Sequence, residues 1–203
     1  SPRAMRNGII VTVLFACLIG SALLFYAGWE LIIVGLLCVL FAFLYTTGPY
    51  PLSYNGWGDV LVIVFFGFVP VGGTYYVQAL TWTSDTTVAS LICGLLIDTL
   101  LVVNNYRDRE ADARSGKRTV IVRFGEKFGR YLYLMLGMTA SLLCFWFFFE
   151  GHLFAALLPL LYLIPHVLTW RRMVQIHSGK KLNSILGETS RNMLFFGLLL
   201  SAA

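Results

Sequence analysis

Thr86-Thr87-Val88-Ala89-Ser90-Leu91-Ile92-Cys93-Gly94-Leu95-Leu96-Ile97-Asp98-Thr99-Leu100-Leu101-Val102-Val103-Asn104-Asn105-Tyr106-Arg107-Asp108-Arg109-Glu110-Ala111-Asp112 is an apolar run that ends in charge. Residues 86–105 are long and apolar enough to cross a bilayer as a helix. One carboxylate, Asp98, sits deep inside that run. A charged side chain at the bilayer centre costs roughly 2.5–3.5 kcal/mol, so such residues face a bundle interior or a wet cavity. Both an interhelical hydrogen bond and a direct chemical role fit Asp98. If the helix continues to Asp112, then Asp98, Asn105, Asp108 and Asp112 fall within a sector of about 80°. A polar stripe then runs from membrane depth to the surface.

The segment Asn104–Arg123 is the densest cluster of charge in the chain. Asp108 and Asp112 are spaced to share one helix face, with Cβ atoms about 6 Å apart. Two hard oxygen donors at that spacing can share a hard cation such as Mg²⁺. Arg107, Arg109, Arg114, Lys117 and Arg118 surround them. An acidic pair inside a basic cluster suits a metal-bound polyanion such as a diphosphate. A solvated loop with ion pairs is the other reading of the same charges.

Working outward, the 203-residue chain is 58% hydrophobic and only 12% charged, with mean hydropathy +0.78. That lies outside the range of soluble globular domains. The expected fold is an all-α polytopic membrane protein in one domain, 1–203. Seven apolar segments recur, near 8–28, 30–47, 59–80, 86–105, 131–149, 153–170 and 187–203. Continuous runs of this kind exclude a β-barrel. All fifteen basic residues lie in the N-terminal tail, in 106–130 or in 171–191. The positive-inside rule puts those regions in the cytoplasm. The net charge of +5 is therefore placed for the membrane and does not indicate nucleic acid. Cys17, Cys38, Cys93 and Cys144 are isolated in apolar segments and form no disulfide framework.

The connection 48–58, rich in Gly and Pro, forbids a regular helix. Tyr45, Tyr50, Tyr54 and Trp57 crowd it, with Asp59 following. They read either as an interfacial aromatic belt or as the wall of a cytoplasm-facing cavity with Asp59 at its mouth. His152, His166 and His177 lack metal-ligand spacing, which argues against zinc. His166 reads as a packed or hydrogen-bonded core residue. No P-loop, no G-x-S-x-G and no strand-borne G-x-G-x-x-G is present. Glu188 and Arg191 fit either a local pair or a cavity-facing one.

The run Asn104-Asn105-Tyr106-Arg107-Asp108-x-x-x-Asp112-x-x-x-Gly116-Lys117-x-Thr119 resembles the second aspartate-rich motif of the UbiA-type membrane prenyltransferases. The double Asn, the Arg-Asp pair and the Gly-Lys-x-Thr tail resemble the branch acting on 1,4-dihydroxy-2-naphthoate in menaquinone biosynthesis. Tyr45-Thr46-Thr47-Gly48-Pro49-Tyr50-Pro51-Leu52 and Tyr54-x-Gly56-x-Gly58-Asp59 resemble the same branch. The resemblance implies a nine-span bundle with two aspartate-rich motifs. The chain corresponds to its last seven spans, with Ser1-Pro2-Arg3 in the loop that follows the first motif. Half of the metal-binding carboxylates are then outside this stretch.

The resemblance also implies an activity: transfer of a polyprenyl group from its diphosphate to 1,4-dihydroxy-2-naphthoate, with decarboxylation, giving demethylmenaquinone. Asp108 and Asp112 are then Mg²⁺ ligands, and Lys117 and Arg114 contact diphosphate. Asn104 and Asn105 order the metal shell, Tyr45 and Tyr50 wall the cavity, and Asp59 positions or deprotonates the acceptor. The implied setting is the cytoplasmic membrane, with lipid around the bundle and the site facing the cytoplasm. Another aromatic acceptor, 4-hydroxybenzoate or homogentisate, is the neighbouring alternative. A small multi-span transporter using Asp98 as an ion site is the non-enzyme alternative.

Overall fold

The computed structural model describes residues 2–203; Ser1 lies outside the described residues. In the order of the chain, the main helices are α1 (Pro2–Ser21), α2 (Glu30–Thr46), α3 (Gly58–Ala79) and α4 (Ser84–Arg114). Then come the short α5 (Val120–Phe124), α6 (Glu126–Phe149), α7 (Leu153–Ile176) and α8 (Asn183–Ser201). No strand occurs among the described residues. Five helices are long and apolar enough to cross a membrane: α1 with its continuation to Ala27, then α3, α4, α6 and α7. Two of the seven expected spans therefore fall short by length or composition. Helix α2 has 17 residues, and α8 carries Glu188 and Arg191 in its first half.

Helix α4 is the centre of the molecule. It packs against α3, α6 and α8 and is far more buried than α1 or α2. Its start is set by Thr83, whose hydroxyl accepts from Thr86 N at 3.1 Å, with Asp85 in the first turn. Both features satisfy the free N–H groups of a helix start. At 31 residues the helix is about 46 Å long. That exceeds the roughly 30 Å hydrocarbon layer by about three turns. The extra turns carry Asn104 to Asp112, so the helix does continue through both carboxylates and the polar stripe is real.

Helix α3 is not regular. Residues Ile63–Gly72 form wide π-type turns around Pro70. Proline lacks the N–H that an α-turn needs and its ring crowds the preceding turn. On the facing side, α3 and α4 touch backbone to backbone. A Cβ on Gly67 would lie 2.5 Å from Ser90 O, and one on Gly94 would lie 2.9 Å from Ile63 O. Small residues at such seams let membrane helices approach closely.

A second buried layer joins α6, α7 and α8. His166 is sandwiched between the rings of Tyr133 and Tyr162, with centroids 4.7 and 5.0 Å away. Its Nε2 lies 3.2 Å from Leu134 O, which can only accept, so Nε2 carries the proton. Its Nδ1 then accepts from Tyr162 Oη at 3.0 Å. His166 is thus a satisfied core residue. Tyr133 Oη meets Thr189 Oγ1 at 3.0 Å, and Asn192 donates to Thr169 Oγ1 at 2.9 Å. Glu188 pairs with Arg172 at 2.5 Å on α7, which settles its partner as an interhelical one.

Candidate active site

The polar stripe of α4 ends under two loops that lock together. In the first, 48–57, Leu52–Asn55 forms a 3₁₀ turn closed by Gly56 at φ +82°, a value only glycine adopts easily. Ser53 Oγ donates to Tyr45 O at 2.5 Å, fastening this loop to the end of α2. The second loop, 115–119, follows α4. Arg118 N donates to Tyr54 O at 2.7 Å. Arg123 Nη2 donates to Asn55 O at 2.7 Å, and its Nε to Arg118 O at 3.1 Å. Thr119 starts α5 by accepting from Val122 N at 3.3 Å.

Between these loops and α4 lies a polar pocket lined by Tyr45, Ser53, Gly56, Gly58, Asp59, Asn105, Lys117 and Thr119. Four residues singled out in the sequence meet there: Tyr45, Asp59, Asn105 and Lys117. Three others, Asp112, Asp108 and Asn104, lie on α4 outside the lining. Asp112 Oδ2 is 3.3 Å from Lys117 Nζ. That oxygen is buried, yet it makes no hydrogen bond among the described residues. The ion pair has the distance but not the direction of one. Asp108 is differently held: Arg107 grips both its oxygens, Nε to Oδ1 at 2.7 Å and Nη2 to Oδ2 at 2.6 Å. The same guanidinium donates to Asn104 Oδ1 at 2.8 Å and to Asn183 Oδ1 at 3.1 Å. Arg107 thereby ties the acidic motif to the start of α8.

Two residues do not join the pocket. Tyr50 is 55% exposed and Arg114 is exposed at the end of α4. Tyr50, Tyr54 and Trp57 are all exposed and fit the aromatic-belt reading, whereas Tyr45 alone turns to the pocket. The sequence reading missed Ser53, Gly56 and Gly58 as lining residues, and it missed Arg107 as the clamp on Asp108. Thr119 carried a signal, since it precedes Val120-Ile121-Val122 as a helix cap. Asn183 carried none, because it lies 76 residues from Arg107.

Asp108 and Asp112 present hard oxygen donors one turn apart, and Asp112 Oδ2 makes no hydrogen bond among the described residues although it lies beside Lys117 Nζ. That donor set fits a hard divalent cation. No group of three or more His, Cys, Asp or Glu placed to hold a metal occurs among the described residues. The cluster on the other side of α4 is structural: Arg109 and Arg130 both pair with Glu126, and Arg130 Nε donates to Tyr106 Oη at 2.9 Å.

The model of the UbiA prenyltransferase family matches residues 1–199. The chain is 38% identical over 148 residues to the 1,4-dihydroxy-2-naphthoate octaprenyltransferase of Escherichia coli (strain K12), covering 70% of this chain and 48% of the relative. The protein of the same name from Haemophilus influenzae is 36% identical over 174 residues, covering 79% and 56%. That from Mycobacterium leprae is 38% identical over 142 residues, covering 70% and 48%. The chain spans about half the length of these curated relatives. No solved structure matches it. A family model covering nearly the whole chain, together with its apolar helices, identifies it as a multi-pass membrane protein that belongs to the UbiA prenyltransferase family.

Proposed function

We propose that this chain carries the catalytic pocket of a polyprenyl transferase acting on 1,4-dihydroxy-2-naphthoate with loss of CO₂. It does so as one transmembrane domain in the cytoplasmic membrane, with the pocket open to the cytoplasm. The observation that carries the reading is the junction at the top of α4. There Asp112 Oδ2, buried without a hydrogen bond among the described residues, lies 3.3 Å from Lys117 Nζ, and Lys117 lines the pocket with Tyr45, Asp59 and Asn105. The relatives named above add the acceptor by likeness.

Asp108 and Asp112 would hold Mg²⁺, which when bound supplies charge neutralisation to the diphosphate leaving group. Lys117 binds the diphosphate through charge-assisted hydrogen bonds, and Arg114 adds long-range charge from its exposed position. The allylic C–O bond breaks with its electrons leaving on diphosphate, and a ring carbon of the acceptor takes the prenyl carbon. The acceptor's carboxylate departs as CO₂. Asn105, buried in the pocket wall, and Asn104 orient the polar atoms around Asp108 and Asp112. Tyr45 lines the pocket, where its ring stabilises developing cation and excludes water. Tyr50 guards the entrance from the belt. Asp59 receives or orients an acceptor hydroxyl. The prenyl tail lies along apolar helix surfaces or in lipid.

The test is an acceptor panel on membranes carrying the complete polypeptide. Labelled polyprenyl diphosphate is offered with dihydroxynaphthoate, 4-hydroxybenzoate or homogentisate, with Mg²⁺ or with chelator. Mg²⁺-dependent product with the naphthoate alone is the expected result. Product with a different acceptor moves the substrate and keeps the chemistry. No product with any acceptor, together with ion flux in proteoliposomes that depends on Asp98, replaces the reading with a transporter.

A further inference from the structure

Helices α3 and α4 are antiparallel, and their register can be read from the seam. Gly67 faces Ser90 and Gly94, and Gly94 faces Ile63. A step of four residues back along α3, from Gly67 to Ile63, is matched by a step of four forward along α4, from Ser90 to Gly94. One more step of the same register sets Asp59 opposite Asp98. Asp98 lies within electrostatic reach of Asp59, and Tyr45 lies within reach of both. Asp98 is 1% exposed. Its Oδ1 and Asp59 Oδ1 are both buried without a hydrogen-bond partner among the described residues. Both orphaned acceptor atoms therefore belong to residues that the register sets opposite each other, and one of the two, Asp59, lines the pocket with Tyr45, Asn105 and Lys117. Buried polar atoms are nearly always partnered, and an orphan is a reason to look for the missing donor.

We infer that Asp59 and Asp98 form a two-carboxyl subsite for the hydroxyl groups of the aromatic acceptor. This rests on the proposed function and extends it by naming the recognition chemistry. Two carboxyl groups this close repel an anion and do not both keep a charge readily. What fits between them is a neutral hydrogen donor, and a hydroxyl on an aromatic ring is one. The same repulsion turns the acceptor's own carboxylate away from the pair, toward the cationic end of the pocket at Lys117. The ring is thereby oriented by both ends: hydroxyl inward at Asp98, carboxylate outward. A site built to hydrogen-bond a substrate hydroxyl strongly rejects the analogue that lacks it, because its buried groups are then left unpaired.

The experiment is a double-mutant cycle between protein and ligand, using the complete polypeptide in lipid nanodiscs. The acceptor and its mono-methyl ether are compared in the wild type, Asp98→Asn and Asp59→Asn, by KM and by equilibrium binding. In the wild type, blocking the hydroxyl weakens binding by about tenfold or more, the range for a hydrogen bond to a charged group. In Asp98→Asn the two ligands bind within about twofold of each other, and KM for prenyl diphosphate stays at the wild-type value. A hydroxyl-to-ether ratio that is the same in the wild type and in both variants overturns the subsite. So does a prenyl diphosphate KM that rises in step with the acceptor KM. Should Asp98→Asn fail to insert, Asp59→Asn decides by the same two criteria. A wild-type enzyme that binds no aromatic acceptor removes the proposed function itself. One that prenylates the acceptor with an unaltered ratio removes only this subsite.

Discussion

At the scale of single residues, the two motif aspartates are not equivalent. Asp112 is 13% exposed, and its Oδ2, beside Lys117 Nζ, is buried without a hydrogen bond among the described residues. Asp108 is 38% exposed and both its oxygens are spoken for by Arg107. Asp112→Asn removes a charge that nothing else replaces. Turnover is expected to fall by about 10²–10³, the usual effect of deleting one group aimed at developing charge. Asp108→Asn falls by a similar factor, while the melting temperature in detergent stays within a few degrees for both. Wild-type turnover in either variant would remove its carboxylate from the chemistry. Lys117→Ala should raise KM for prenyl diphosphate by about tenfold, since a hydrogen bond to a charged group is worth about 1.5–3 kcal/mol. The acceptor KM should change less than threefold, and an equal rise in both would argue against a diphosphate contact.

At the scale of elements, the α3–α4 seam sets the distance between Asp59 and Asp98. It depends on the absence of side chains at Gly67 and Gly94. Gly94→Val is expected to lower stability by about 1–3 kcal/mol or more, as overpacking does, and to abolish activity. Gly73→Ala on the same α3 has nothing within 4 Å of the added Cβ and should be silent. Thermal unfolding in detergent compares the two, and equal melting temperatures would show the seam to be yielding. The two docked loops make a second such element. Arg123→Ala deletes the side-chain hydrogen bonds to Asn55 O and Arg118 O. At about 0.5–1.5 kcal/mol each, their loss should loosen the pocket mouth and raise both KM values several-fold, with kcat less affected. Unchanged kinetics would show that the backbone bond from Arg118 to Tyr54 holds the loops alone.

At the scale of the whole molecule, the placement of cations gives an orientation. The positive-inside rule predicts one side for the basic clusters at 106–130 and 171–191, and the other for the connection at Glu150-Gly151-His152, which carries no Lys or Arg. With Cys17, Cys38, Cys93 and Cys144 replaced by Ser, a single cysteine at Lys180→Cys should react with an impermeant maleimide from the cytoplasmic side. One at His152→Cys should react only from the other side. The reverse pattern would place the pocket on the far face of the membrane. Helices α1 and α2 are exposed along most of their apolar length. Membrane lipid is the natural solvent for such surfaces.

Much of this was legible in the residues because it depends on local chemistry. Composition and apolar runs dictate helices in a bilayer, where every backbone polar group must be bonded within its own segment. Spacing alone places Asp98, Asn105, Asp108 and Asp112 on one stripe of α4, since the period of a helix is a local property. What tertiary structure decided are relations between residues far apart in the chain: the register that brings α3 and α4 together at Gly67 and Gly94, Tyr45 but not Tyr50 at the pocket, Glu188 with Arg172 and Asn183 with Arg107. Those follow from helix register and loop docking. The Gly67–Gly94 contact and the bond from Arg118 to Tyr54 fix them by close packing, and no periodicity within one segment reports which residue of another segment it will meet.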